Sequence, residues 1–156
     1  MITTRVARLF DADEVSRLTS QLGYEVTPTL VRTRLSRILV RRDHLFVIAE
    51  ENGRAIGWVH GTVAEYVEAG PFVVIAGLVV DRNHRTAGVG RTLVQQVETW
   101  GRQQGCSTVR LWSSTAQGTL AGVFESTKPE SSSITRGCTV MTTMKAASWR
   151  ITVPSR

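Results

Sequence analysis

Apolar positions recur along the chain with two periods, and the switches between them mark the elements. Residues 3–8 alternate polar and apolar around Val6 and predict a first strand. Asp11, with Glu14 three residues on, has the spacing of a helix N-cap and capping box. Val15, Leu18 and Leu22 then follow at helical intervals, and Gly23 closes the helix. Thr27-Pro28 predicts a second helix, with threonine as cap and proline in the first turn. Its apolar stripe is Val31, Leu35, Ile38 and Leu39, and Arg32, Arg34, Arg37 and Arg41 take the other faces. Residues 44–50 and 55–63 flank Glu51-Asn52-Gly53-Arg54, and Asn-Gly between two apolar runs predicts a hairpin.

Gly70-Pro71 is expected to break the chain before residues 72–80, a continuous apolar run that reads as a central strand buried on both faces. A helix is predicted over 88–104, with Val89, Leu93, Val97 and Trp100 on one face and Gly105 as its stop. A strand over 108–112 follows, then a short helix within 117–126. Residues 126–143 are rich in Ser and Thr and predict a loop with at most two marginal strands. The order is β-α-α-β-β-β-α-β-α-(β-β), an α/β class in one domain over 1–156, with 126–156 as an atypical C-terminal segment.

Composition narrows the function classes. The chain has 156 residues, 42% hydrophobic and 21% charged, which suits a globular domain with its own core. No run approaches the ~20 apolar residues of a membrane span, and the first residues lack the apolar region of a secretory signal. Cys106 and Cys138 make no disulfide framework and have no metal-ligand spacing, and His44, His60 and His84 are scattered; a reducing cytoplasm and no metal are expected. The net charge of +6 comes from arginine, since Lys128 and Lys145 are the lysines. Such a balance suits nucleic acid, anionic lipid or a polyanionic small molecule.

Residues 78–93 choose among these. A buried strand ends, a loop containing Arg85 follows, and an amphipathic helix opens at Gly88-Val89-Gly90. A helix N-terminus presents unpaired N–H groups and the positive end of the macrodipole, and glycines there let a phosphate approach. Arg85 and Arg91 add cationic donors. A pyrophosphate cradle is the expectation. A Walker loop is excluded, because no lysine is present here, and a dinucleotide fingerprint fails because position 93 is Leu93.

The motif Arg85-x-x-Gly88-x-Gly90, behind Leu78, Val80 and the loop, resembles the Arg/Gln-x-x-Gly-x-Gly/Ala signature of the GNAT N-acetyltransferase superfamily. The resemblance covers residues 2–125 in element order and is motif-specific over 73–114. It implies a mixed, mostly antiparallel sheet flanked by helices, with acetyl-CoA in the gap between two splayed parallel strands. It implies that Leu78, Val79 and Val80 meet the pantetheine arm and that Arg85, Thr86, Ala87, Gly88, Val89, Gly90, Arg91 and Thr92 wrap the pyrophosphate. Ser113 and Ser114 then face the cofactor from the neighbouring strand.

The catalytic pattern departs from the family. The expected base position on the central strand is Val74, and the usual helix Tyr is replaced by Glu125 in Ala121-Gly122-Val123-Phe124-Glu125. Glu125, Tyr24 and Tyr66 are the weak candidates for acid or base, though Glu125 reads more readily as a solvated residue and either tyrosine at least as readily as packing; Glu65 and Glu68 are candidates for an acceptor amine, or an ordinary charged loop. Two readings stand. One is an acetyl-CoA-dependent N-acetyltransferase acting on a primary amine of a small molecule or peptide, with proximity supplying most of the rate. The other is a catalytically impaired coenzyme A-binding module. A nucleic-acid role for the arginine-rich second helix ranks below both, because no aromatic residues interleave with the charges. Exposed sheet edges allow a homodimer.

Overall fold

A computed structural model of the chain describes residues 1–111 and the backbone of residues 125–126. The elements are β1 (Ile2–Val6), α1 (Ala12–Ser20), α2 (Pro28–Ile38), β2 (His44–Glu51), β3 (Arg54–Tyr66), β4 (Ala69–Val80), α3 (Val89–Gln103), β5 (Val109–Leu111) and β6 (Glu125–Ser126). Single 3-10 turns at Leu9–Asp11 and Arg82–His84 precede α1 and α3. The strands form one sheet in sequence order, antiparallel throughout except for the parallel pair β4–β5. This is the mixed α/β class expected.

Two apolar layers cover the sheet. On one face Val89, Leu93, Val94 and Val97 of α3 are buried against Val47, Val59, Val73 and Ile75. On the other, Val15 and Leu18 of α1 and Val31 and Leu35 of α2 close over Phe46, Ile48, Trp58 and Val79. Thr27 caps α2 as expected, its hydroxyl oxygen accepting from the Leu30 amide at 3.3 Å with Pro28 in the first turn. The hairpin turn also forms as expected, with Asn52 and Gly53 at φ 51° and 77°, the left-handed pair that a tight β2–β3 connection needs.

Three expectations need correction. Asp11 does not cap α1 with its side chain. Its carboxylate accepts from the two terminal guanidinium nitrogens of Arg5 at 2.7 and 2.8 Å and from the Arg8 amide at 2.7 Å, tying β1 to the start of α1. Gly70-Pro71 does not end the strand run. The turn lies at Val67-Glu68, β4 begins at Ala69, and the Gly70-Pro71 pair sits where the register slips between Ala64 and Tyr66. A bulge tolerates proline because no ladder hydrogen bond is asked of its nitrogen. Within the predicted helix 117–126, Glu125–Ser126 pair with β5 as a strand, and the other residues lie outside those described.

The strand expected to be buried on both faces carries one exposed residue, Ala76. Gly61 pairs with Ile75 and His60 with Gly77, so Ala76 is an extra residue in β4. The bulge reverses the faces. Val73 and Ile75 point to the α3 layer before it; Leu78 and Val80 do so after it, and Val79 joins the α1/α2 layer.

Helix α3 lies close on β3 because position 57 has no side chain. A Cβ at Gly57 would sit 2.8 Å from the Val79 carbonyl oxygen and 3.2–3.3 Å from Leu93 and Val89. Gly57→Val should therefore destabilise the fold by about 1–3 kcal/mol, the usual cost of overpacking. Urea unfolding measures this as a lower midpoint at unchanged slope; an unaltered midpoint would show that α3 is free to shift.

Candidate functional site

Strand β4, the loop 81–88 and the first turn of α3 form the site. The start of the loop is pinned from below. Asp81, buried, accepts from Arg17 of α1 at 2.9 Å, from the Gln21 side chain at 3.2 Å and from the Asn83 amide at 3.0 Å. The Arg17 guanidinium and the Asn83 amide hold the Asp81 carboxyl far below its usual range, outweighing burial. Gln21 also accepts from the Arg82 amide at 3.1 Å, and Arg17 donates to the Ala55 carbonyl at 2.7 Å. His84 sits between Glu51 and Asp81, at 3.5 and 3.8 Å.

Beyond that anchored base the chain turns outward. Arg85, Thr86, Ala87 and Gly88 are exposed. Gly88 takes φ 76° as N-cap of α3, a left-handed conformation that favours glycine. The first backbone hydrogen bond of the helix runs from the Thr92 amide to the Gly88 carbonyl at 3.1 Å, so the amides of Val89 and Gly90 precede the ladder. Val89 is buried as the helix's anchor, Gly90 and Thr92 are half-buried and Arg91 is exposed. Leu78 and Val80 are half-buried at the end of β4, and Val79 is buried.

Gly90 has no structural reason to be glycine. Its φ is not positive, and a Cβ there would meet only Val80 Cγ2, at an ordinary 3.6 Å. Glycine inside a helix costs about 1 kcal/mol relative to alanine. The residues present fit a phosphate-bearing ligand: bare backbone at Gly88 and Gly90, a helix N-terminus, and exposed arginines at 85 and 91.

The described part of the β4–β5 ladder pairs Val73 with Val109, Val74 with Arg110 and Ile75 with Leu111. Beyond the Ala76 bulge, residues 77–80 carry β4 to the loop 81–88.

The chain matches the family model for the acetyltransferase (GNAT) family over residues 10–125. It belongs to the GNAT acetyltransferase family. Solved structures with the same fold include a GNAT family acetyltransferase from Staphylococcus aureus, at 20% identity and TM-score 0.67 over 87% of this chain and 98% of that one. Another is AAC(6')-Iy, solved in complex with the bisubstrate analogue CoA-S-monomethyl-acetylneamine, at 23% identity and TM-score 0.67 over 76% and 83%. A third is the aminoglycoside antibiotic 6'-N-acetyltransferase AAC(6')-Ih from Acinetobacter baumannii, at 18% identity and TM-score 0.68 over 76% and 83%. No curated protein matches.

The GNAT catalytic candidates are not brought together. Tyr66 ends β3, edge-on to Phe72 at 5.0 Å, and lies six residues from His60, about 20 Å of strand from the bulge. Tyr24 is half-exposed in the α1–α2 connection. Glu65 and Glu68 are exposed at that same far end of the β3–β4 hairpin. Val74 is half-buried between Thr62 and Arg110. Glu125 belongs to β6, and its side chain, like Ser113 and Ser114, lies outside the described residues. Among the described residues no three His, Cys, Asp or Glu gather as metal ligands, and no helix is long and apolar enough to cross a membrane.

Beside the bulge stands a pair that the sequence reading had set aside. His44 Nδ1 and His60 Nε2 are 2.9 Å apart, their rings stacked at 5.1 Å, with Phe46 against His60 at 5.5 Å. Burial and, to a smaller extent, the neighbouring His44 push the His60 pKa down to about 4. The His44 pKa is also lowered by burial, against the pull of Asp43. Folding thus binds His60 in its neutral form. The unfolded chain takes up the extra proton between pH 6.5 and 4, so stability rises with pH through that window. The melting temperature should climb from pH 4 to 6.5, with a shallower slope in His60→Gln. Equal slopes in the two proteins would contradict the assignment.

Proposed function

We propose that this acetyltransferase uses acetyl-CoA and transfers its acetyl group to a primary amine of a small molecule or peptide. The observation that carries the reading is Gly90, a helical glycine that neither backbone conformation nor packing requires, at the mouth of an arginine-flanked helix N-terminus. The amides of residues 88–90, with Arg85 and Arg91, would hold the pyrophosphate, while Thr86, Ala87 and Thr92 line the same turn. Leu78, Val79 and Val80 would line the pantetheine arm at the end of β4, and Ser113 and Ser114 would face it. Bound there, acetyl-CoA supplies an activated thioester. The protein's part is to hold it beside the amine and to exclude water, and proximity of this kind is worth several kcal/mol of barrier. The amine acceptor is supported by family membership and by the aminoglycoside N-acetyltransferases that share the fold.

Two substitutions at one position test the reading. Gly90→Ala should stabilise the fold by about 0.5–1 kcal/mol, since helix propensity improves and the space is free. Gly90→Leu should fold equally well and lose acetyl-CoA affinity at least tenfold by calorimetric titration. Full affinity in Gly90→Leu, or no binding by the folded wild-type protein, would overturn the cradle. A screen of primary amines by thiol release then defines the acceptor class.

A further inference from the structure

The end of the sheet opposite the cradle carries two exposed patches of opposite charge. Strand β4 runs from Ala69 at that end to Val80 beside the cradle. The β3–β4 hairpin supplies the first patch, Glu65-Tyr66-Val67-Glu68, with all four residues exposed. Tight turns favour Gly, Asn, Asp, Ser and Pro, whose backbones or short polar side chains suit the bend and the solvent. Here the turn is made with Val67, which is fully exposed, next to Tyr66 at 49%. Apolar groups held in water at a hairpin tip stabilise nothing within this chain.

The second patch is the chain between α2 and β2. It comprises Arg37 in the last turn of α2, Val40 at 79% exposure, and the exposed Arg41 and Arg42. No acidic residue stands between Glu25 and Asp43 to offset these arginines in the sequence. Arg41 is paired with Asp43 at 2.6 Å. Among the described residues, Arg37, Arg42, Glu65 and Glu68 make no ion pair and no side-chain hydrogen bond.

The two patches are neighbours in the fold. The Val63 amide donates to the Asp43 carbonyl at 2.9 Å, and His44 pairs with Thr62. Residues 40–43 therefore enter β2 beside the strand that carries the tip. From Val63 the strand continues to Tyr66, about 10 Å further at the usual rise. An acidic tip thus projects beside a basic shoulder, with an exposed valine on each.

The mixture of signs selects the partner. A nucleic acid, an anionic lipid surface or a uniformly acidic peptide would gain from the shoulder and be repelled by the tip. A surface with the same two patches in reversed order gains from both, and a two-fold rotation of this chain generates one. In such an isologous contact each patch meets its complement twice. We propose that two copies of the chain associate through this end of the sheet, the tip of each lying on the shoulder of the other. Glu65 and Glu68 of one protomer pair with Arg37 and Arg42 of the partner subunit. Val40, Tyr66 and Val67 form the apolar centre between those charges, the usual arrangement of a protein interface. The cradle lies at the other end of β4, so both protomers keep it open to solvent.

Sedimentation velocity on the full chain tests the contact. The wild type should sediment as a dimer at micromolar concentration, and the dimer should weaken as salt rises. The double variant Glu65→Arg, Glu68→Arg should be monomeric, and so should Arg37→Glu, Arg42→Glu. Mixed in equal amounts, the two variants should form a heterodimer, because an all-basic end then meets an all-acidic one. Recovery on mixing separates the contact from a folding defect, which mixing does not repair. A monomeric wild type would overturn the proposal, as would a dimer that survives either reversal. Monomeric variants that stay apart when mixed would overturn it too.

Discussion

One extra residue in β4 governs the molecule. With Ala76 bulged out, the strand reaches its two cores with opposite parity: Ile75 faces α3 before the bulge, and Leu78 and Val80 face it afterwards. Residues 77–80 join the bulge to the turn into α3, and those two ends are where an acyl thioester and its pyrophosphate would lie in the proposed reading.

The turn itself depends on packing some distance away. Glycine at position 57 lets α3 approach β3 closely, with Val89 and Leu93 against it, and this sets the height at which the helix begins. Arg17 and Gln21 of α1 hold Asp81 and Arg82 at the other end of the loop. Residues 85–88 are exposed between two fixed points, which lets the loop present its backbone without collapsing onto the sheet. Pre-organisation of this kind limits the ordering entropy that binding must overcome.

Much of this was legible in the sequence for definite reasons. Helical periodicity around Val89, Leu93 and Val97, the Thr27-Pro28 start and the Asn52-Gly53 turn are local signals, and local geometry decides them. The Arg85-x-x-Gly88-x-Gly90 motif stood out because the turn into α3 is built from consecutive residues. Asp11 was misread because its spacing to Glu14 suits a cap, while the decisive partner, Arg5, comes from another element. The histidine pair was invisible for a related reason. Counted without irregularity from the Glu51↔Arg54 pair, the hairpin sets His60 opposite Leu45, on the other face from His44. The bulge between Glu50 and Ala49 shifts the register so that His60 pairs with Phe46 and His44 with Thr62, and the two rings meet. Bulges are tertiary decisions, and a one-residue slip reverses every face after it.

The central claim is that the end of β4 and the first turn of α3 form one continuous binding surface. Amide chemical-shift mapping during titration with coenzyme A tests it most directly. The account predicts saturable shifts confined to residues 76–80 and 85–92 and their immediate neighbours, with Val89 and Gly90 among the largest. Shifts centred on the arginines of α2, or none at saturating ligand, would contradict it.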